Sequence, residues 1–168
     1  MKWLNRPGFT LIELAVVLAL FLLLTIFSQI NINFLDRMIL HTEIEKLQTI
    51  CRYLQQCSLV SNKEQELVLS QANKSYRYNN HNEMLPAKVS FGFIPGSKGP
   101  PASADKLIQK PITFVNNRIV FYPTGIISAG TVYLTDQKKQ VMYALSNAVS
   151  QISFLRTYRY NNSWQPLH

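Results

Sequence analysis

The chain has 168 residues, 47% of them apolar, and a formal net charge of +8. That length holds one domain with an appendage. The seventeen basic residues are scattered and only Lys138-Lys139 are adjacent, so the excess reads as solvated surface, not as the clustered footprint of a nucleic-acid binder.

The first element is a short basic leader, Met1 to Gly8, with Lys2 and Arg6. It is followed by an apolar run from Phe9 to Ile30 whose only charge is Glu13. As a helix rising about 1.5 Å per residue, the run spans roughly 33 Å, which matches a hydrocarbon core of about 30 Å. No later stretch approaches that length, so one membrane segment is expected. A secretory signal would carry a small-residue cleavage site after its apolar region, and here the run passes straight into Asn31-Ile32-Asn33. Lys2 and Arg6 hold the leader end in the cytoplasm, which puts the C-terminus outside.

Gly8-Phe9-Thr10-Leu11-Ile12-Glu13 resembles the type IV prepilin signature: a glycine before the cut, a phenylalanine after it, and a glutamate at the head of an apolar helix. The resemblance implies cleavage between Gly8 and Phe9 by a prepilin peptidase at the cytoplasmic face, then N-methylation of Phe9. The glycine suits a peptidase cleft because it brings no Cβ to the scissile bond. Glu13 is an ionisable group inside a membrane segment, where a charge costs about 2.5–3.5 kcal/mol at the bilayer centre and marks a functional position. The family role for Glu13 is to neutralise the Phe9 amine of a neighbouring subunit and so set the stagger of assembly. The residue-level alternative is an acid placed at the positive end of a helix.

From Ile32 to about Ser61 the pattern turns amphipathic, with Ile32, Leu35, Ile39, Leu47, Ile50, Leu54 and Cys57 at mostly helical spacing. No proline or glycine interrupts the chain from Phe9 to Leu85, so one helix of about 50 residues is expected, without a kink near Ile30. Cys51 and Cys57, six apart on one helix, lie about 9 Å apart along its axis, too far for an intrahelical disulfide.

Beyond Asn62 the period shortens. Glu66–Ser70 and Lys74–Tyr78 form a predicted hairpin about Ala72-Asn73, and Lys88–Phe93 alternates as a strand. Pro95, Gly96, Gly99, Pro100, Pro101 and Pro111 mark Ile94–Pro111 as a loop. Ile112–Val115 and Arg118–Tyr122 flank Asn116-Asn117, a hairpin signal. Thr131–Thr135 and Gln140–Ala144 form another pair, and a last strand runs near Gln151 to Tyr160.

The stretch Ile119–Gly125 through Gly130–Leu134 resembles the GspH/FimT branch of the pilin-like family. That branch joins the long helix to two β-sheets and often ends in a glycine-arginine motif able to contact DNA. Here Arg156 and Arg159 stand in the corresponding stretch, interleaved with Tyr158 and Tyr160, but the glycine-arginine pair is missing. Tyrosines interleaved with arginines can bind single strands. In an extended strand, however, these two arginines face opposite sides, so an edge strand with solvated arginines is the favoured reading.

His41, His81 and His168 are dispersed, no acids take a calcium-loop spacing, and neither a G-x-S-x-G motif nor a glycine-rich phosphate loop is present. No enzyme, cofactor or metal site is therefore expected. Asn73-Lys74-Ser75 and Asn161-Asn162-Ser163 fit the N-x-S pattern, which is frequent by chance. The expected architecture is α+β: leader 1–8, transmembrane helix 9–31, amphipathic extension 32–62, and a β-rich domain 63–168 with an antiparallel sheet packed on the helix. The resemblance implies a structural minor pseudopilin in the inner membrane, assembled with other pseudopilins or pilins into the periplasmic pseudopilus of a type II secretion system and so supporting protein export. Its further partners would be the prepilin peptidase/N-methyltransferase and an inner-membrane assembly platform. The alternative is a minor pilin of a DNA-uptake pilus that uses Arg156 and Arg159.

Overall fold

The computed structural model describes residues 10–103, 105–149 and 154–167, with the side chains of 27–33 outside that description. The chain is an α+β protein, an N-terminal helix followed by antiparallel sheets. It divides into two units, Met1–Leu35 and Asp36–His168.

Helix α1 runs from Leu11 to Ser61. Within the first unit, every described side chain from Leu11 to Ile26 is exposed. Helix α1 ends where Asn62 turns left-handed at φ 51°, the conformation that closes many helices and that asparagine tolerates.

In the second unit, α1 buries Leu40, Ile44, Leu47, Cys51, Leu54 and Ser58 in alternating steps of four and three. The stripe expected from sequence is met at Leu47, Ile50 and Leu54, falls outside the described side chains at Ile32, and is corrected at its other positions. Leu35 is exposed, while Ile39 and Cys57 are half-buried, because the buried seam lies one position round the helix from them.

Two sheets complete the unit. Strands β1 (Gln65–Ser70), β2 (Ser75–Tyr78), β3 (His81–Met84) and β5 (Arg118–Phe121) form one in the order β3-β2-β1-β5. Strands β4 (Val89–Phe91), β6 (Gly130–Asp136), β7 (Met142–Asn147), β8 (Arg156–Asn161) and β9 (Ser163–Leu167) form the other in the order β4-β6-β7-β8-β9. Leu67, Leu69, Tyr76, Ile119 and Phe121 from the first sheet join Val132, Leu134, Tyr143 and Leu145 from the second in one core with the α1 seam. A fully buried aliphatic or aromatic side chain of this kind contributes roughly 1.5–3 kcal/mol.

The expected hairpin about Asn116-Asn117 does not form. Both asparagines adopt left-handed φ, 52° and 54°, as the signal demands. The turn instead carries the chain from one sheet to the other: Ile112 bridges Val132, whereas Arg118–Phe121 pairs with β1. Phe114 plugs the crossing and lies against Gly130, where an added Cβ would come within 2.9 Å of the Phe114 Cα. The strand expected from Lys88 is shorter, and that expected near Gln151 begins at Arg156, with residues 150–153 outside the described set.

The far face of the second sheet is covered by the Ile94–Pro111 loop. Ile108 packs on Tyr133, Met142 and Ala144, and the Trp164 indole N–H donates to the Lys98 carbonyl at 2.7 Å.

Candidate functional site

Gly8 and Phe9 lie outside the described residues. The structure of the motif therefore begins at Thr10, immediately before the first turn of α1. The Thr10 backbone N–H donates to Glu13 Oε2 at 2.8 Å and the Thr10 hydroxyl donates to the same oxygen at 2.9 Å. In return, the Glu13 N–H donates to Thr10 Oγ1 at 3.3 Å. This is a reciprocal capping box, which satisfies two orphan donors of a helix start. The Thr10-x-x-Glu13 spacing carried that signal in the sequence, but the reading there assigned Glu13 only to assembly or to the helix dipole. The cap gives Glu13 a structural role within its own chain.

Beyond the cap, the exposed residues from Leu11 to Ile26 are apolar on every side except at Glu13 and Thr25. A helix that is apolar all round requires a cover, either lipid or other protein. Among the described residues no helix is long and apolar enough to cross a membrane. Described side chains of this run stop at Ile26, whereas the run in the sequence extends from Phe9 to Ile30.

The second candidate feature is the arginine pair. Arg156 lies opposite Ser146 and Arg159 opposite Tyr143, three positions apart on β8, so they take opposite faces of the sheet. Arg156 is exposed, with its guanidinium 4.8 Å from the Phe154 ring centre. Arg159 is half-buried, and its Nε is buried without a hydrogen-bond partner among the described residues. The two guanidiniums therefore do not form one surface.

A polar network missed from sequence ties α1 to β2 and β3. The Tyr76 hydroxyl donates to the buried Glu43 carboxylate at 2.9 Å and lies 3.4 Å from Glu83. Tyr78 donates to Glu83 at 3.1 Å, and Lys46 closes the network by an ion pair with Glu83. Burial and the Glu43 bond push the Tyr76 phenol well above its ordinary range. The Lys46 bond holds the Glu83 carboxyl below its usual value and raises Lys46 in turn. No periodicity could announce these contacts, which join residues up to 37 positions apart. Among the described residues no group of three or more His, Cys, Asp or Glu side chains could hold a metal.

Residues 3–28 match the family model of the prokaryotic N-terminal methylation motif. The match is to the signal of type IV pilins and pseudopilins and is confined to the head of the chain. Its signal is that of N-methylated prepilins, and it implies processing by a prepilin peptidase and assembly with other pilins. No curated protein and no solved structure matches the chain.

Proposed function

We propose that this protein is a minor pseudopilin of the GspH/FimT branch, built into the periplasmic pseudopilus of a type II secretion system. In this reading it is cut after Gly8, methylated at Phe9, and held in the inner membrane by the start of α1 with its β-domain outside. The observation that carries the proposal is the methylation motif at the head of a helix whose apolar surface the chain itself leaves uncovered. Assembly of such helices side by side would cover that surface. Glu13 would meet the Phe9 amine of the next subunit, where an ion pair out of water is strong enough to select one stagger.

The separation of Arg156 and Arg159 onto opposite faces weighs for a structural subunit over a DNA-uptake pilin. The experiment is charge reversal at both arginines in cells, reading protein secretion and DNA uptake together. Unchanged secretion with lost DNA uptake would overturn the secretion reading. For processing, mass spectrometry of membrane-extracted protein should find a methylated Phe9 at the N-terminus, and an intact Met1 would refute it.

A further inference from the structure

We infer that Arg37, Lys88, Lys138 and Lys139 form a docking surface for anionic phospholipid headgroups at one end of the β-domain. These residues are scattered in the sequence and gathered by the fold. Lys88 Nζ pairs with Asp36 Oδ1 at 2.6 Å, which brings Lys88 within one residue of Arg37. The Gln137 side-chain amide donates to the Ala87 carbonyl at 2.9 Å, which brings the β6–β7 turn, with Lys138 and Lys139, to the same place. Arg159 enters from β8 opposite Tyr143, whose ring meets that of His41 on α1 at 5.7 Å. Burial raises the Tyr143 phenol, and Arg159 and Arg37 pull it the other way, so both guanidiniums lie near that phenol.

Charge at this end is sorted by depth. Arg37, Lys88, Lys138 and Lys139 are exposed. Asp36 is half-buried, and Asp136 is buried with its Oδ1 accepting from the Gln140 and Val141 N–H groups. Glu45, further along α1, meets His41. A partner therefore meets a basic outer layer, and Met38 stands exposed beside Arg37 to offer an apolar contact. Cations with an apolar side chain among them suit the headgroup layer of a membrane better than a bare polyanion. The place in the chain points the same way. Arg37 follows Ile30, the last residue of the apolar run, by seven positions, about 10 Å along a helix. Headgroups add about 5–8 Å to each side of the hydrocarbon core, and a lysine or arginine stem covers the remainder. An anionic surface attracts juxtamembrane basic clusters of this kind. The contact rests on the reading of Phe9–Ile30 as a membrane segment, to which it adds an electrostatic hold.

The test uses the full mature chain reconstituted in vesicles of phosphatidylcholine alone or of phosphatidylcholine with phosphatidylglycerol. Removal of the leader takes Trp3 with it, so Trp164 is the one tryptophan left. Trp164 pairs with Tyr160, which pairs with Met142 just past the β6–β7 turn, so it reports on this end of the domain. Energy transfer from Trp164 to a dansyl-labelled headgroup should rise when phosphatidylglycerol is included and fall back in raised salt. Each charge removed should lower the docked-to-undocked ratio about fivefold, in Lys138→Gln/Lys139→Gln and in Arg37→Gln alike. Lys138→Arg/Lys139→Arg should keep the rise, and Arg52→Gln/Lys63→Gln, further along the chain, should leave it within about twofold. Far-UV circular dichroism checks that each variant is folded. Equal transfer in the two kinds of vesicle, or a full rise in Lys138→Gln/Lys139→Gln, would overturn the proposal. So would lysine-dependent binding of labelled single-stranded DNA without a response to phosphatidylglycerol, which would assign the surface to nucleic acid. Flotation with phosphatidylcholine vesicles tests the anchor separately. A chain that floats but ignores phosphatidylglycerol sinks the headgroup contact alone, and one that does not float overturns the membrane reading and the contact with it.

Discussion

The phenol of Tyr76 reaches across the core to the carboxylate of Glu43, 2.9 Å away, joining β2 to the buried seam of α1. Tyr76 is fully buried and Glu43 is 5% exposed, so this bond lies where water cannot replace it. Tyr76→Phe leaves the carboxylate without its donor and should destabilise the β-domain by about 1–3 kcal/mol. Tyr76→Phe/Glu43→Leu removes both partners and should cost less than the sum of the single changes. Denaturant unfolding of the four forms, followed by near-UV circular dichroism, measures that coupling.

The neighbouring Lys46–Glu83 pair gives the domain a pH dependence of defined sign. Glu83 is held below its ordinary value of 4.5, first by the Lys46 bond. Its contribution is therefore complete above pH 4.5 and is lost as pH falls through the lowered value. Lys46 is raised above 10.5, first by the same bond, so its contribution is present below that pH and is lost as pH rises through the raised value. Both side chains are partly exposed, which limits the pair to about 1 kcal/mol or less. Melting temperature against pH should be flatter at both extremes in Lys46→Met than in the parent.

At the helix start, charge and cap can be separated. Glu13→Gln keeps a side chain able to accept from the Thr10 N–H, so the cap should persist, while the charge for a neighbouring amine is gone. Hydrogen exchange in the first turn of α1 should be near normal in this variant and accelerated in Thr10→Ala, whose lost cap costs about 1 kcal/mol. Under the proposed function, Glu13→Gln, Glu13→Ala and Glu13→Leu should all insert and be cleaved but fail to assemble. Normal filament incorporation of Glu13→Gln would show that the glutamate serves only as a cap.

Gly130 is held glycine by its neighbour. A Cβ there meets the Phe114 backbone, so trimming the Phe114 side chain cannot make room. Gly130→Ala should cost about 1–3 kcal/mol, the usual range for overpacking, and Gly130→Ala/Phe114→Ala should be no more stable than Gly130→Ala alone. Thermal unfolding of the two variants checks this.

Trp164 pins the Ile94–Pro111 loop through one hydrogen bond to Lys98. Trp164→Phe keeps an aromatic ring and removes that donor, with an expected loss of about 1 kcal/mol. Limited proteolysis should then cut the loop sooner, while cleavage elsewhere is unchanged.

The motif from Gly8 to Glu13 and the long helix were legible in the sequence because each is a local pattern: a fixed order of residues and an unbroken apolar run. The β1–β2 and β6–β7 hairpins were legible for the same reason, since alternation and turn residues adjoin each other. Strands β3 and β9 were not, because His81–Met84 and Ser163–Leu167 lie at sheet edges and are mostly half-buried or exposed, without a clean apolar face. The Asn116-Asn117 signal gave the right backbone conformation and the wrong partner. Two left-handed residues reverse a chain, but which strand receives it is decided by the contacts of Ile112 with Val132 and of Phe114 with Gly130, each joining residues well separated in sequence. The Glu43–Tyr76–Glu83–Lys46 network was beyond sequence reading altogether, as its members meet only through tertiary packing.

The crossing at Asn116-Asn117 also imposes an order of events on synthesis. Strand β1 pairs with β5 from Gln65↔Phe121 to Val68↔Arg118, so the first sheet stays incomplete until residue 121 has left the ribosome. The segment just before β5 is meanwhile committed to β6 through Ile112↔Val132. The first sheet draws only on Gln65 to Phe121, whereas the second spans Val89 to Leu167, so the loop-closure entropy of the first is met earlier in synthesis. A nascent chain stalled before Phe121 should thus expose the apolar faces of β1 and of α1 together, and that is the stage at which a chaperone would be needed most.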